Sequence, residues 1–158
     1  MTLHVAFDAE EAADIIEQHR DLEGPLLPIL NALQSRFGFV GEDAVRQISA
    51  ALNLSRAEVY GVVSFYHDYK AEPHGRHVLK VCRAEACQSR GSDAVADAAE
   101  RALGIAFGET TPDGRVTLEA VYCLGLCAAG PSAMIDHGRI VGRLTPAKVE
   151  ALAEEIRL

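Results

Sequence analysis

The four cysteines of this 158-residue chain fall into two tight pairs, Cys82-x4-Cys87 and Cys123-x3-Cys127, separated by a long gap. A loop of three or four residues brings two sulfurs together, and two such loops supply four ligands. The pattern therefore points to a metal cluster held between the pairs. It also constrains the fold, because Cys87 and Cys123 can meet only if the intervening segment forms a compact unit that returns the chain.

The residues around the pairs read that way. His77–Cys82 alternates Val78, Leu79 and Val81 with polar neighbours as a strand does, residues 88–103 are Ala-rich at helical spacing, and Val116–Val121 is β-branched and apolar. Cys82 thus closes one strand, and Cys123 follows another into the loop Leu124-Gly125-Leu126-Cys127-Ala128-Ala129-Gly130-Pro131. A short strand is expected at residues 105–107, and two more at 132–136 and 139–144 on either side of a His137-Gly138 turn. Thr145-Pro146 caps and opens a last helix through Ile156. A βαβ unit followed by a hairpin and a helix is a thioredoxin-like order.

The first 70 or so residues read as helices instead. Asp8 caps a helix running to Arg20 with Ala12, Ile15 and Ile16 on its apolar side, and Gly24-Pro25 breaks it. Leu26–Phe37 stops at Gly38, Glu42–Leu52 forms a third helix, and the capping box Ser55-Arg56-Ala57-Glu58 opens a fourth. That fourth helix is expected to carry Phe65-Tyr66-His67-Asp68-Tyr69 as a core-facing end that packs the helical region onto the domain that follows. The expected fold class is α+β, an N-terminal helical bundle over residues 1–70, a linker over 71–76 and a thioredoxin-like α/β domain over 77–158.

Composition narrows the partners. With 15 Lys and Arg against 23 Asp and Glu, the net charge of −8 disfavours nucleic acid and anionic membrane, both of which reward a basic face. No apolar run approaches the roughly 20 residues that span a bilayer, and residues 1–11 are acidic where a signal peptide is basic and then apolar. A cytoplasmic protein without direct membrane insertion is expected. In that reducing compartment, closely paired cysteines are metal ligands or redox catalysts more often than structural disulfides.

Three species fit four such thiols: zinc, an iron-sulfur cluster, or two redox-active dithiols. Zinc knuckles commonly pair cysteines two residues apart, whereas these wider loops suit a 2Fe-2S rhomb with each pair on its own iron. A catalytic dithiol favours Cys-x-x-Cys, which is absent. Gly125 allows close amide approach to such a cluster, the helix after Cys87 offers free N–H groups near residues 88–91, and Lys80, Arg83 and Arg90 are candidate sources of positive potential. His74-x-x-His77 lies in a polar linker and reads as surface, and His4, His19, His67 and His137 have no companions at ligand spacing. Phosphate loops, dinucleotide Gly motifs and Ser-His-Asp orders are absent, so the chain is expected to carry electrons rather than to be catalytic alone. Readings from other classes are a zinc-stabilised interaction protein and an iron-sulfur-sensing helix-turn-helix regulator. The candidate recognition helix of the latter, however, offers Arg56 against Glu58 and Asp68.

Cys82-x4-Cys87 and Cys123-Leu124-Gly125-x-Cys127 followed by Pro131, behind Leu33-Gln34-x-x-Phe37-Gly38 and Val62-Val63-Ser64-Phe65-Tyr66, resemble the thioredoxin-like 2Fe-2S ferredoxin family. The resemblance implies one 2Fe-2S cluster per chain, bound by Cys82, Cys87, Cys123 and Cys127. It also implies an NADH- and FMN-binding flavoprotein partner with an iron-sulfur cluster of its own. Respiratory members often carry an acidic residue before the third cysteine, where Tyr122 stands here. Together with Pro131-Ser132-Ala133-Met134, this looks more like the gamma subunit of soluble, molybdenum-containing, NAD-dependent formate dehydrogenase than like the E subunit of complex I or the diaphorase part of NAD-reducing hydrogenases.

Overall fold

Capping chemistry sets the boundaries of the first helices. In the computed structural model, which describes residues 6–136 and 138–158, the Asp8 carboxylate accepts from the amides of Glu10 and Glu11 at 2.9 and 3.0 Å and opens α1, Ala9–His19. Pro25, at φ −70°, leads into α2, Leu26–Phe37, and Gly38 ends it in the left-handed conformation at φ 81°. α3 spans Glu42–Leu52. The reciprocal Ser55–Glu58 capping box opens α4, Arg56–Phe65.

The chain divides into two compact units, one ending at Pro73 and the other beginning at His74. In the first, α1 packs on α2 and α3, and α3 packs on α4. Ala12, Ile16, Ile29, Leu30, Leu33, Phe37, Ile48 and Val59 fill the common core. A bidentate Arg36–Glu11 pair, at 2.5 and 2.7 Å, ties α2 to α1. Phe65 and Tyr66 do not join the core of this unit. The helix stops at Phe65, Tyr66 is extended, and Phe65 and Tyr66 are 72% and 44% exposed. The chain has to turn there so that the Lys70 carbonyl can accept from the Val40 amide at 2.7 Å. Of the three aromatic rings, Tyr69 packs on the core, its hydroxyl donating to Asn31 Oδ1 at 2.8 Å.

The second unit is built on a four-stranded sheet: β1, His77–Cys82; β2, Val116–Val121; β3, Ala133–Ile135; and β4, Arg139–Val141, in the order β2-β1-β3-β4. β1 and β2 are parallel, and β1–β3 and β3–β4 are antiparallel. Leu79, Val81, Val116, Leu118, Ala133 and Ile135 face helices α6, Ser92–Leu103, and α7, Pro146–Arg157, which contribute Val95, Ala98, Ala99, Leu103, Val149, Leu152, Ala153 and Ile156. Small residues along α6 let it approach both the sheet and α7 closely. The Thr145 hydroxyl caps α7 by accepting from the Lys148 amide.

Three local expectations are corrected. Residues 88–103 are not one helix: a single turn, α5, Glu85–Gln88, precedes α6, and Gly91 at φ 90° breaks the path between them. Residues 105–107 form no strand, because left-handed Gly104 and Gly108 bracket them and Ile105 and Phe107 pack on the core from a loop; the chain meets β2 only after them, where the Gly108 amide donates to the Leu118 carbonyl and Thr110 bridges Thr117. The hairpin strands are also shorter than their apolar runs. Of the expected turn at His137-Gly138, His137 lies outside the described residues, as does His4.

Lys80 and Glu119 are direct partners in the β1–β2 register, 11% and 13% exposed, with Nζ and Oε2 3.7 Å apart. His74 Nδ1 lies 3.5 Å from the other carboxylate oxygen. Removing the carboxylate leaves a largely buried ammonium without this partner, so Glu119→Ala is expected to speed exchange of the Leu79 and Val81 amides on the order of a hundredfold, equivalent to about 3 kcal/mol. Acceleration below about threefold would show that the pair behaves as an exposed one.

Candidate metal centre

Parallel pairing ends β1 and β2 at the same edge of the sheet. Cys82, the last residue of β1, sits opposite Val121, and Cys123 follows two residues later. The Arg83 amide extends the pairing to the Val121 carbonyl at 2.8 Å, after which α5 carries Cys87 back beside Cys82. On the other side, the Leu124-Gly125-Leu126 loop and the 3-10 turn Cys127–Ala129 return the chain to Ser132, whose carbonyl accepts from the Cys82 amide at 2.9 Å.

All four thiols are free, and they form two unlike pairs: Cys82 and Cys87 are each 1% exposed, whereas Cys123 and Cys127 are exposed. The Cys123 and Cys127 sulfurs are 3.7 Å apart. A disulfide requires about 2.05 Å. Two thiolates on one tetrahedral metal with bonds of about 2.3 Å lie about 3.8 Å apart. The observed separation is too long for a disulfide and matches the spacing that two co-ligands would have. Among the described residues, no three His, Cys, Asp or Glu side chains gather closely enough to hold a single ion.

Backbone donors surround the sulfurs. Cys123 adopts φ 117°, a conformation that L residues rarely take, and Gly125 follows at φ 76°. The Gly125 amide donates to Cys123 Sγ at 3.3 Å. At Cys82, burial pushes the thiol pKa up, but the Ala84 amide, the Cys87 thiol and the Leu124 and Cys123 amides together hold it below the ordinary value. Burial and the neighbouring Cys82 raise Cys87, against the pull of Ser132, and the adjacent Cys123 sulfur raises Cys127. The site thus offers thiolate-stabilising donors around a closely spaced sulfur set, which fits an anionic iron-sulfur cluster.

Of the basic residues considered for this site, Arg90 reaches it, its Nε donating to the Gly130 carbonyl at 3.0 Å. Arg83 stacks over the Phe107 ring at 5.1 Å, and Lys80 engages Glu119. His74 and His77 are not brought together on a metal: His74 approaches Glu119, and His77 Nδ1 lies 3.1 Å from Asp136 Oδ2. Neither is a freely solvated surface group, since their side chains are 21% and 30% exposed. Sequence reasoning missed Gly130 and Ser132 as parts of the site. The conjunction Gly130-Pro131-Ser132 shortly after Cys127 is the signal that was available.

Residues 12–157 match the thioredoxin-like 2Fe-2S ferredoxin family. The chain belongs to that family. Membership implies a 2Fe-2S cofactor, in agreement with the fit of the thiols. Among its relatives is the NADP-reducing hydrogenase subunit HndA of Solidesulfovibrio fructosivorans, 34% identical over 145 residues, 92% of this chain and 84% of that protein. The E subunit of the NADH-quinone oxidoreductase of Escherichia coli is 32% identical over 152 residues, 96% of this chain and 91% of that protein. Among solved structures, an NAD+-reducing NiFe hydrogenase in the air-oxidized state superposes with a TM-score of 0.68 at 29% identity, covering 81% of this chain and 22% of that much longer one.

Gly130 shows how tightly the ferredoxin site is built, because a Cβ there would lie 3.0 Å from Cys87 Sγ and 3.4 Å from the Cys127 carbonyl oxygen. Gly130→Ala is expected to lower the iron bound after anaerobic reconstitution by at least about twofold while leaving the far-ultraviolet circular dichroism unchanged. Undiminished iron would show that the loop yields without cost.

Proposed function

We propose that this chain is the one-electron carrier subunit of an NAD-dependent oxidoreductase complex, with Cys82 and Cys87 holding one iron and Cys123 and Cys127 the other. The observation that carries this reading is the convergence of one buried and one exposed thiol pair at the shared end of β1 and β2. When bound, a 2Fe-2S cluster supplies storage and transfer of one electron. The residues of the chain do the rest. α5 and the Gly130–Ser132 return exclude water from Cys82 and Cys87, the amides of Ala84, Cys123, Leu124 and Gly125 offset thiolate charge, and the exposed 123–127 loop leaves one edge open to a redox partner.

The partner in this proposal is the NADH- and FMN-binding flavoprotein that accompanies such ferredoxins, and the parent complex is a soluble formate dehydrogenase in the cytoplasm, with this chain as its gamma subunit. Tyr122, 75% exposed immediately before Cys123, and the Pro131-Ser132-Ala133-Met134 run support that branch. The relatives named above favour a second reading, as the corresponding subunit of an NADH-quinone oxidoreductase or a hydrogenase. Purifying the native complex separates the two: a molybdopterin subunit with formate-dependent NAD reduction supports the first reading, and hydrogenase or membrane subunits support the second.

The helical unit is assigned to gripping the flavoprotein, since it leaves Tyr60 and Phe65 63% and 72% exposed. A chain beginning near Gly75 is expected to keep its visible absorbance and lose tight association in size-exclusion chromatography. Loss of absorbance with retained binding would reverse the assignment.

As an electron carrier, the chain alone is expected neither to oxidise formate nor to reduce NAD. With its flavoprotein and excess NADH, its EPR signal should appear, partial in extent if the potential lies near the about −400 mV of plant-type clusters. No signal with NADH, where dithionite gives one, would contradict a place on the electron path.

A further inference from the structure

We infer that the Ser132 hydroxyl raises the reduction potential of the cluster by donating a hydrogen bond to the Cys87 sulfur. Ser132 is 1% exposed, and its Oγ lies 3.9 Å from Cys87 Sγ, within hydrogen-bond range for sulfur. Among the described residues, that sulfur is the partner its side chain has. A buried hydroxyl left without an acceptor is costly, so this contact has a reason to persist.

The direction of the proton follows from the ligand role of Cys87, on which this inference rests. A ligating sulfur is a thiolate and carries no proton. The hydroxyl is then the donor, and the sulfur accepts. Ser132 is also held in place independently of the cluster, because its carbonyl accepts from the Cys82 amide at 2.9 Å and Pro131 and Ala133, its neighbours in the chain, are buried. The donor is therefore fixed before any change in charge occurs. A fixed dipole aimed at a ligand sulfur stabilises the more negative, reduced form more than the oxidised form, and low local dielectric strengthens the difference. Ser132 does not ligate and is a positioning residue acting through Cys87. Beside the exposed Cys123 and Cys127, water can perform the same service. Beside buried Cys87, the protein must supply the donor itself.

The test is an EPR-monitored potentiometric titration of full-length wild type, Ser132→Ala and Ser132→Thr, with iron and acid-labile sulfide measured on each. Ser132→Ala is expected to retain wild-type iron and sulfide and, at the wild-type midpoint, to show an oxidised-to-reduced ratio about fivefold higher, about 40 mV at 59 mV per tenfold change for one electron. Ser132→Thr, which keeps the hydroxyl, should return the ratio toward wild type. A ratio changed by less than about 1.5-fold in Ser132→Ala, or shifted the other way, overturns the inference. Loss of the cluster from Ser132→Ala also overturns it, making Ser132 a requirement of assembly. A wild-type chain lacking iron and sulfide would instead overturn the ligand assignment, so the two failures are distinct.

Discussion

The parallel pairing of β1 with β2 is the constraint on which the site depends. Parallel strands require a long crossover, and residues 83–115 supply it, with α6 packing its small residues onto the sheet. Because both strands run the same way, their ends share one edge. Two cysteines far apart in sequence become neighbours there, and short local loops add the second member of each pair. One slipped residue in the register would turn every side chain of a strand to the opposite face and carry Cys82 away from Cys123. The Lys80–Glu119 pair and the apolar residues facing α6 and α7 both fix that register.

An anionic cluster held at this edge, as proposed, would pose an electrostatic problem in a chain whose net charge is −8. The solution is mostly backbone. Turns at Ala84 and around Cys123 to Gly125 present amides to Cys82 and Cys123, and the unusual φ of Cys123 is one cost of that arrangement. Arg90 contributes through the Gly130 carbonyl, which its guanidinium holds in place. Dipoles held by hydrogen-bonded loops need little reorganisation when charge changes, which is what a carrier of single electrons requires. The two pairs remain unequal, one sealed and one open, so the site has an inner side that protects and an outer side that can meet another protein.

Much of this was legible in the sequence because it rests on local chemistry. The caps at Asp8, Ser55 and Thr145 and the stop at Gly38 follow from single side chains or a single missing one, and the structure uses each as expected. β1 and β2 were legible because β-branched and apolar runs that one face of a sheet buries under helices have few alternatives. The errors lie where tertiary geometry decides. The Ala-rich stretch from residue 88 is broken because Cys87 must turn back to Cys82 before α6 can start. Ile105 and Phe107 serve the core from a loop, and a run of three residues between two left-handed glycines carries no periodicity to show it. Phe65 and Tyr66 look like core residues by composition but lie at and beyond the last turn of α4. Within the site, the cysteines announced themselves, whereas Gly130 and Ser132 did not, since a glycine needed for lack of a Cβ and a serine needed for one buried hydroxyl look like ordinary loop residues.

Four thiols in two pairs are proposed to hold one two-iron cluster. Iron and acid-labile sulfide analysis of the anaerobically purified chain, combined with EPR after dithionite reduction, tests it most directly. Such a cluster gives about two irons and two sulfides per chain and a single S = 1/2 signal. A colourless protein with about one zinc, no labile sulfide and no signal would contradict it.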